Sequence, residues 1–352
     1  MKRSLLTVVA RAVSQLLGAF VPFLLFAGVL AGGERPAQAT TIVKIGTLAP
    51  ANSPWAKGFK KLAADIASDT NGELQLDFQW NAQAGDEALM VQKIRTGQLD
   101  AAAVTTLGLA QTGVTDVLLF ELPGLFTSWA KLDEARLALK DDFDKLFEAK
   151  GFTVLGWGDL GELRTMSVGF EIHHPSDMRG KGIPLFPGDP IQPKVFAAIG
   201  GITPKQVSLA EILPSLQSGS ISVIVAPALA AEQLQWGSRI THISTEALAF
   251  GIGAFIASSA RMAALPPQFK EVIARRGREA SAVLNTTVRA MDAQAYARMK
   301  ATKIAYSPTE ADRNEWKDIF VKVSTELRGT VFNPVLFDRV VKLADNPLVP
   351  KY

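Results

Sequence analysis

Apolar positions in this chain recur with two alternating periods. Ile42, Val43 and Ile45 form a short strand-like run that leads into a loop between Pro50 and Pro54. Trp55, Phe59, Leu62 and Ile66 then recur at intervals of three and four, which predicts a helix over residues 55–68. Leu74, Leu76, Phe78 and Trp80 alternate strictly, the signature of a half-buried strand. Leu89, Val91 and Ile94 place a helix over 87–95, with Gly97 just past its end, and residues 99–105 read as another buried strand. This β-α-β-α-β opening predicts an α/β sheet with helices on its faces.

The pattern continues with a helix over 129–150, strands over 152–157 and 163–168, and a Pro/Gly-rich stretch over 175–193. Helices are predicted over 192–199 and 209–217, and strands over 221–225 and 251–258. Pro266-Pro267 opens a long helical region to about residue 300, and a last helix is predicted over 309–327. No internal repeat of 20–50 residues is present. The order suggests two α/β lobes with crossing strands near 157–165 and 244–256. Lobe 1 comprises residues 40–161 and 248–283, lobe 2 residues 162–247, and residues 284–352 pack across both. Ligands favour the cleft between such lobes.

The first 39 residues break this rhythm. Lys2, Arg3 and Arg11 precede an uncharged stretch from Ala12 to Gly33, and Pro36-Ala37-Gln38-Ala39 ends it in an Ala-x-Ala pattern. That profile predicts a secretory signal peptide cleaved after Ala39. The alternative is an uncleaved N-terminal anchor, since 22 uncharged residues can span a bilayer. Either places the remaining chain outside the cytoplasm.

Charge sharpens the picture. The chain has 37 Lys and Arg against 34 Asp and Glu, but the leader holds four of the basic residues and one acid, leaving 33 of each in the body. A neutral body without a basic block gives no support for nucleic-acid binding. Cysteine is absent, which excludes disulfides, thiol nucleophiles and thiolate metal sites.

Six segments, taken in order, resemble the extracytoplasmic solute receptors of TRAP transporters, the DctP type. They are Gln92 to Asp100 (QKIRTGQLD), Phe120 to Phe126 (FELPGLF), Gly161 to Ser167 (GELRTMS), Pro175 to Ile183 (PSDMRGKGI), Ala210 to Gly219 (AEILPSLQSG) and Leu265 to Gln268 (LPPQ). The resemblance implies a two-lobed periplasmic solute-binding fold of the type II-like class, with crossing hinge strands and a long helix spanning both lobes. It also implies capture of a small organic solute in the cleft and delivery to separate TRAP permease subunits in the membrane.

Two departures bear on the ligand. Most of the family places a carboxylate-binding arginine just after the "G-l-k-i" step, because a guanidinium offers two parallel donors to a carboxylate. Here that position is Pro184. The family's usual "v-D-G-q-e-n-P" run is here Ile221-Ser222-Val223-Ile224-Val225-Ala226-Pro227. Arg179 and Lys181 lie near the missing arginine and read as solvated loop charges. A cleft short of polar anchors favours a largely hydrophobic or amphipathic ligand, with one acidic group held by Arg164 as a further option. The loop from Pro184 to Pro190 is similar to that of a TRAP-receptor subgroup with aromatic residues before a "G-D-P" turn. The candidate ligand-binding set is Arg164, Phe186, Leu48, Leu209, Ser222, Val225 and Ala226. Arg164 can equally serve as a structural ion pair, Phe186 can pack the lobe core, and Trp157 and Trp236 read as core.

No cofactor and no resident metal are expected. His173, His174 and His242 are the only histidines and lack HExxH or carboxylate spacing. There is no G-x-S-x-G elbow and no phosphate-binding loop. Gly156-x-Gly158-x-x-Gly161 matches a dinucleotide fingerprint by letter, but the chain continues as strand where that fingerprint needs a helix. The expected function is binding, with a non-transport carrier or sensor as the competing class.

Overall fold

The computed structural model describes residues 40–346; the predicted leader and its cleavage site lie outside them. The chain opens with β1 (Thr41–Thr47), α1 (Pro54–Asp69), β2 (Leu74–Gln79), α2 (Glu87–Arg95), β3 (Ala101–Thr105) and α3 (Thr106–Ala110). A 3-10 turn, Thr115–Glu121, follows, then α4 (Trp129–Ala138), α5 (Lys140–Ala149) and β4 (Phe152–Ser167). Next come β5 (Gly182–Leu185), α6 (Gln192–Ile199), β6 (Thr203–Gln206), α7 (Ile212–Ser218), β7 (Val223–Ala226) and α8 (Ala228–Gln233). The chain returns through β8 (His242–Ser258) and α9 (Ser259–Ala264) to α10 (Pro267–Thr302), β9 (Ile304–Tyr306), α11 (Glu310–Leu327) and α12 (Pro334–Ala344).

Local chemistry sets these boundaries. Ser53 caps α1 by accepting the Ala56 N–H, with Pro54 at the first helical position. Asp86 caps α2 through the Leu89 N–H at 2.8 Å, and its charge suits the helix N-terminus. Thr309 and Asp312 form a reciprocal capping box on α11. The predicted helix over 129–150 is two helices, broken at Leu139. The two strands predicted over 152–157 and 163–168 are one 16-residue strand, β4. Glycines at 156, 158 and 161 interrupt the side-chain alternation without ending the strand. The last helix, α12, lies beyond the predicted end of helical structure and is capped by Asn333.

The main sheet has the order β2-β1-β3-β8-β4-β7, with β9 pairing β8, and β5 pairs β6 in a separate parallel ribbon. β1 runs parallel to β2 and β3, whereas β8 is antiparallel to β3 and β4. The long pair β4–β8 joins the two lobes. Near Phe152 to Asp159, β4 pairs with the part of β8 that also pairs β3. From Arg164 to Ser167 it pairs with β7 and with the start of β8. Register shifts between Val154 and Gly156, Asp159 and Gly161, and at Arg164 let the strand bend there.

Strand alternation sorts the first lobe's core onto two faces. Ala101 and Ala257 belong to a cluster under α1 and α10 with Ile45, Ile66, Phe269 and Ile273. Their neighbours Ala102 and Ile256 belong to the opposite cluster, with Phe120, Phe143, Phe147 and Phe337. The second lobe packs Met166, Ile212, Leu216, Ile224 and Ile243 against Val288, Ala295 and Met299 of α10. The long helix therefore touches the cores on both sides of the crossing strands, as the resemblance implies.

Candidate functional site

A cavity of about 1130 Å³ lies between the two lobes and reaches the crossing strands. Its wall is mostly apolar and aromatic, including Trp55, Phe126, Phe186, Phe250 and Trp316. The lobes touch at its edge, where the Gln111 amide donates to the Pro187 carbonyl at 3.1 Å.

Six of the seven candidate residues reach this cavity. Leu48 follows β1, Phe186 follows β5, Leu209 sits in the 3-10 turn before α7, and Val225 and Ala226 close β7; all five line it. Val225 is 39% exposed, unusual for a valine in a central position, and it lines the cavity. Phe186 is positioned by a hydrogen bond from its own N–H to the Gln192 side chain at 2.9 Å. Pro184, at the position where the family's arginine is expected, is also on the wall. Ser222 is not: it lies before β7, where its backbone is bonded to Val168 and Gly182.

Arg164 lines the cavity at 7% exposure, but its guanidinium is already engaged. It pairs with Glu162, donates to the Thr245 carbonyl and stacks over the Tyr296 ring at 3.9 Å. Its Nε is buried without a hydrogen-bond partner among the described residues. The geometry is that of a structural ion pair facing the ligand space, with its charge neutralised.

Trp157 and Trp236 do both jobs considered for them. Trp157 packs edge-on against Phe120, Phe143 and Phe147, yet both tryptophans line the cavity. Arg179 is bound to the Ile199 carbonyl, and Lys181 sits over the Phe170 ring at 4.1 Å, so both are loop charges with protein partners.

The hinge carries a compensated charge network. Asp159 on β4 has a fully buried carboxylate that accepts from Arg136 Nη1 at 2.8 Å and Arg289 Nε at 2.6 Å. Both arginines also reach Asp133, Arg289 through two bonds of 2.7 and 2.8 Å. The Trp55 indole donates to the Asp159 carbonyl oxygen at 3.3 Å. One step along, Gly161 has φ near +129° because Asp292 packs against it: an added Cβ would lie 2.4 Å from Asp292 Cγ. The Asp292 carboxylate accepts the N–H groups of Glu162 and Leu229, each at 2.9 Å.

Two acids on the cavity wall were not among the candidates. Glu121 ends the 3-10 turn and accepts the Ile252 N–H at 2.7 Å. Burial pushes its carboxyl up to about 7, and the charges of Asp189 and Glu87 push the same way. Asp189, in the turn before α6, accepts the Ile191 and Gln192 N–H groups through one oxygen; burial raises its pKa as well. A usable signal for Glu121 was in the chain: it is the one charge in the run from Val117 to Phe126.

His173 and His174 face Asp312, with Glu171 and Glu315 beside them, away from the cavity lining. Among the described residues, no group of three or more His, Cys, Asp or Glu side chains is arranged to hold a metal ion. No helix among them is long and apolar enough to cross a membrane.

Two α/β lobes on crossing strands with a large, mainly apolar cavity between them give the architecture of a solute-binding protein. The model of the bacterial extracellular solute-binding protein family 7 (DctP) matches residues 45–328, and the chain belongs to that family. It is 26% identical over 189 residues to the C4-dicarboxylate-binding periplasmic protein DctP of Rhodobacter capsulatus, a stretch covering 53% of this chain and 56% of that protein. It is 29% identical over 188 residues to the uncharacterized protein y4mM of Sinorhizobium fredii, covering 53% of this chain and 34% of that one. The chain thus spans about half or less of the curated relatives it matches.

The fold is shared with a TRAP periplasmic solute-binding protein from Ralstonia eutropha holding (S)-2-acetolactate, at TM-score 0.80 and 21% identity, over 86% of this chain and 98% of that one. It is shared equally with the sugar acid binding protein from Advenella mimigardefordensis in complex with galactonate, at TM-score 0.81 and 16% identity, over 87% and 98%. The family and these neighbours are solute-binding proteins.

Proposed function

We propose that this chain is the periplasmic solute-binding subunit of a TRAP-type uptake system. It captures a small, largely apolar organic solute between its lobes and delivers it to a membrane permease. It acts by binding, without catalysis. The leader serves export, and lobe 1 (residues 40–161 and 248–283) closes on lobe 2 (residues 162–247) by hinge motion at the crossing strands, with residues from 284 onward packed across both.

The observation that carries the ligand class is the cavity: about 1130 Å³, walled mainly by apolar side chains, with Pro184, Val225 and Ala226 where the family usually has polar groups. Burying apolar surface there contributes about 25 cal/mol per Å², whereas a dicarboxylate would need donors that Arg164, already paired, does not supply. The relatives named for C4-dicarboxylates, acetolactate or galactonate thus share the fold without fixing this chain's solute.

A thermal-shift panel tests the reading. Aromatic and medium-chain apolar compounds should raise the melting temperature, and succinate and malate should not. Strong stabilisation by succinate or malate alone would overturn it. The second reading, a carrier or sensor that hands its ligand to another partner, rests on the altered cleft, since a changed ligand can accompany a changed partner. Reconstituted uptake with a neighbouring permease pair separates the two.

A further inference from the structure

The cavity extends beyond the cleft, with one arm entering lobe 1 between the sheet and the helix pair α1–α10. Along α1 it touches Trp55, Phe59, Leu62 and Ile66, and along α10 it touches Leu284, Ala280, Gly277 and Ile273. Steps of three and four put each set on one helix face. From first to last, each set spans eleven residues, about 16 Å of helix. The two helices run antiparallel, so these stretches lie side by side. At the crossing strands, Trp55 and Asn285 hold the Asp159 backbone, and an added Cβ on Gly58 would lie 2.8 Å from Leu284 Cδ1. At the other end, Arg276 Nε pairs with Asp69 at 2.7 Å. The arm thus starts at the crossing strands and runs the length of both stretches into the lobe.

Its floor is β1, β3 and β8. Ile45, Ala101 and Phe255 pack in one cluster with Leu62, Ile66 and Ile273, and Ala103, paired with Phe255, is on the same face. Alanine at 101 and 103 leaves room that a larger side chain would fill. Exposure tapers inward. Phe59, Ala103, Phe255 and Ala280 are only partly buried although α1 and α10 cover the sheet there, whereas Ile45, Ile66 and Ala101 are at most 1% exposed. An arm that is long, and too narrow at its inner end to bare its walls, fits a chain rather than a ring. None of these side chains is charged; Glu121, Asp189 and Lys317 line the cavity from other elements.

We propose that the solute carries an unbranched aliphatic chain, which enters this arm tail first and leaves its polar end in the inter-lobe space. At about 1.3 Å of advance per methylene, the projection of a carbon–carbon single bond, a chain of roughly twelve carbons fills the arm. This rests on the apolar-solute reading above and adds the shape and length of the ligand's apolar part. A short solute would leave the arm empty, and its walls would forfeit the contacts a chain supplies.

Titration of the full mature chain with 1-hexanol, 1-octanol, 1-decanol and 1-dodecanol, followed by the fluorescence of the wall tryptophans, tests it with uncharged probes that differ only in length. Affinity should rise roughly fourfold per added methylene all the way to dodecanol. Ala280→Leu on the roof and Ala103→Val on the floor narrow the arm part-way along. In both variants the gain should stop at about eight carbons, because the overpacked arm excludes a longer chain. Hexanol should bind them as it binds the parent, which also reports that they fold. A gain that ends by eight carbons in the parent overturns this inference and leaves the apolar-solute reading standing. So does a gain that continues to dodecanol in both variants, or a loss in both that is equal at every length. Binding of neither the alkanols nor 2-phenylethanol overturns both.

Discussion

The crossing strands and the turns that carry Glu121 and Asp189 each bury carboxylates against the same cavity, and they treat them in opposite ways. At the hinge, Asp159 meets Arg136 and Arg289, which in turn share Asp133, so every charge is answered by the protein itself. In those turns, Glu121 and Asp189 receive only neutral N–H and hydroxyl donors, and burial raises the pKa of each. A charge with its partners in place is architecture: it fixes how α4, α10 and β4 meet. Carboxylates held by neutral donors alone fix only the local turns that carry those donors. The same distinction disposes of Arg164, whose pairing with Glu162 puts it with the hinge group although it faces the ligand space.

Removing one member at the hinge should give the largest effect. Asp159→Ala removes the buried carboxylate from Arg136, 8% exposed, and from Arg289, leaving Asp133 as the one acid they share. The expected loss is about 3–5 kcal/mol of folding stability, read from urea unfolding. A loss below about 1 kcal/mol would mean that the network is no more than a surface ion pair.

Gly161→Ala should come next. The position combines φ near +129° with a Cβ that would overlap the Asp292 carboxylate, the group holding the Glu162 and Leu229 N–H groups. We expect a loss of about 2 kcal/mol, with hinge bending altered as well, measured by unfolding and by the change in small-angle scattering on ligand addition.

At the wall, Phe186→Ala should leave unfolding nearly unchanged and weaken apolar ligands by about 1–2 kcal/mol, through lost contact area. Pro184→Arg sharpens the comparison from the other side. It puts a guanidinium on the wall where Pro184 now stands, so apolar carboxylates should gain affinity relative to the parent chain, by calorimetry.

The smallest effect concerns protons. Glu121 has a folded-state pKa of about 7 against 4.5 for an ordinary glutamate, so the folded protein holds this proton to higher pH than the unfolded chain. Its contribution to stability is full below about pH 4.5, declines as pH rises, and is lost above about 7. Glu121→Gln should therefore be more stable than the parent at pH 8, by on the order of 1 kcal/mol, and lose that advantage toward pH 4.5.

Much of the architecture was legible because it follows from periodicity. The helix Glu87–Arg95 starts after the capping residue Asp86 and ends just before Gly97, and Gln192–Ile199 ends at Gly200. The alternation along β4 breaks into two apparent strands because Gly156, Gly158 and Gly161 remove side chains from it; in the fold Gly156 admits Ser281 of α10 and Gly161 admits Asp292. α12 carries a readable signal, Asn333-Pro334 before Leu336, Phe337, Val340 and Val341, that falls after the expected last helix. The site was half legible. Apolar walls such as Leu48, Leu209 and Val225 follow from segment position, and Ser222 misses the cavity only because the chain enters β7 after it. Glu121 stands out as a lone charge in an apolar run, but Asp189 reads no differently from Asp133 or Asp159, because pairing depends on partners far along the chain, as Arg289 is 130 residues from Asp159.

Native mass spectrometry of the protein purified without denaturant tests the central claim most directly. A large, mainly apolar cavity between two lobes should retain a ligand through purification, so the account predicts a bound small organic molecule of largely apolar composition, released on gentle activation. Recovery of a bound C4-dicarboxylate or sugar acid would contradict it.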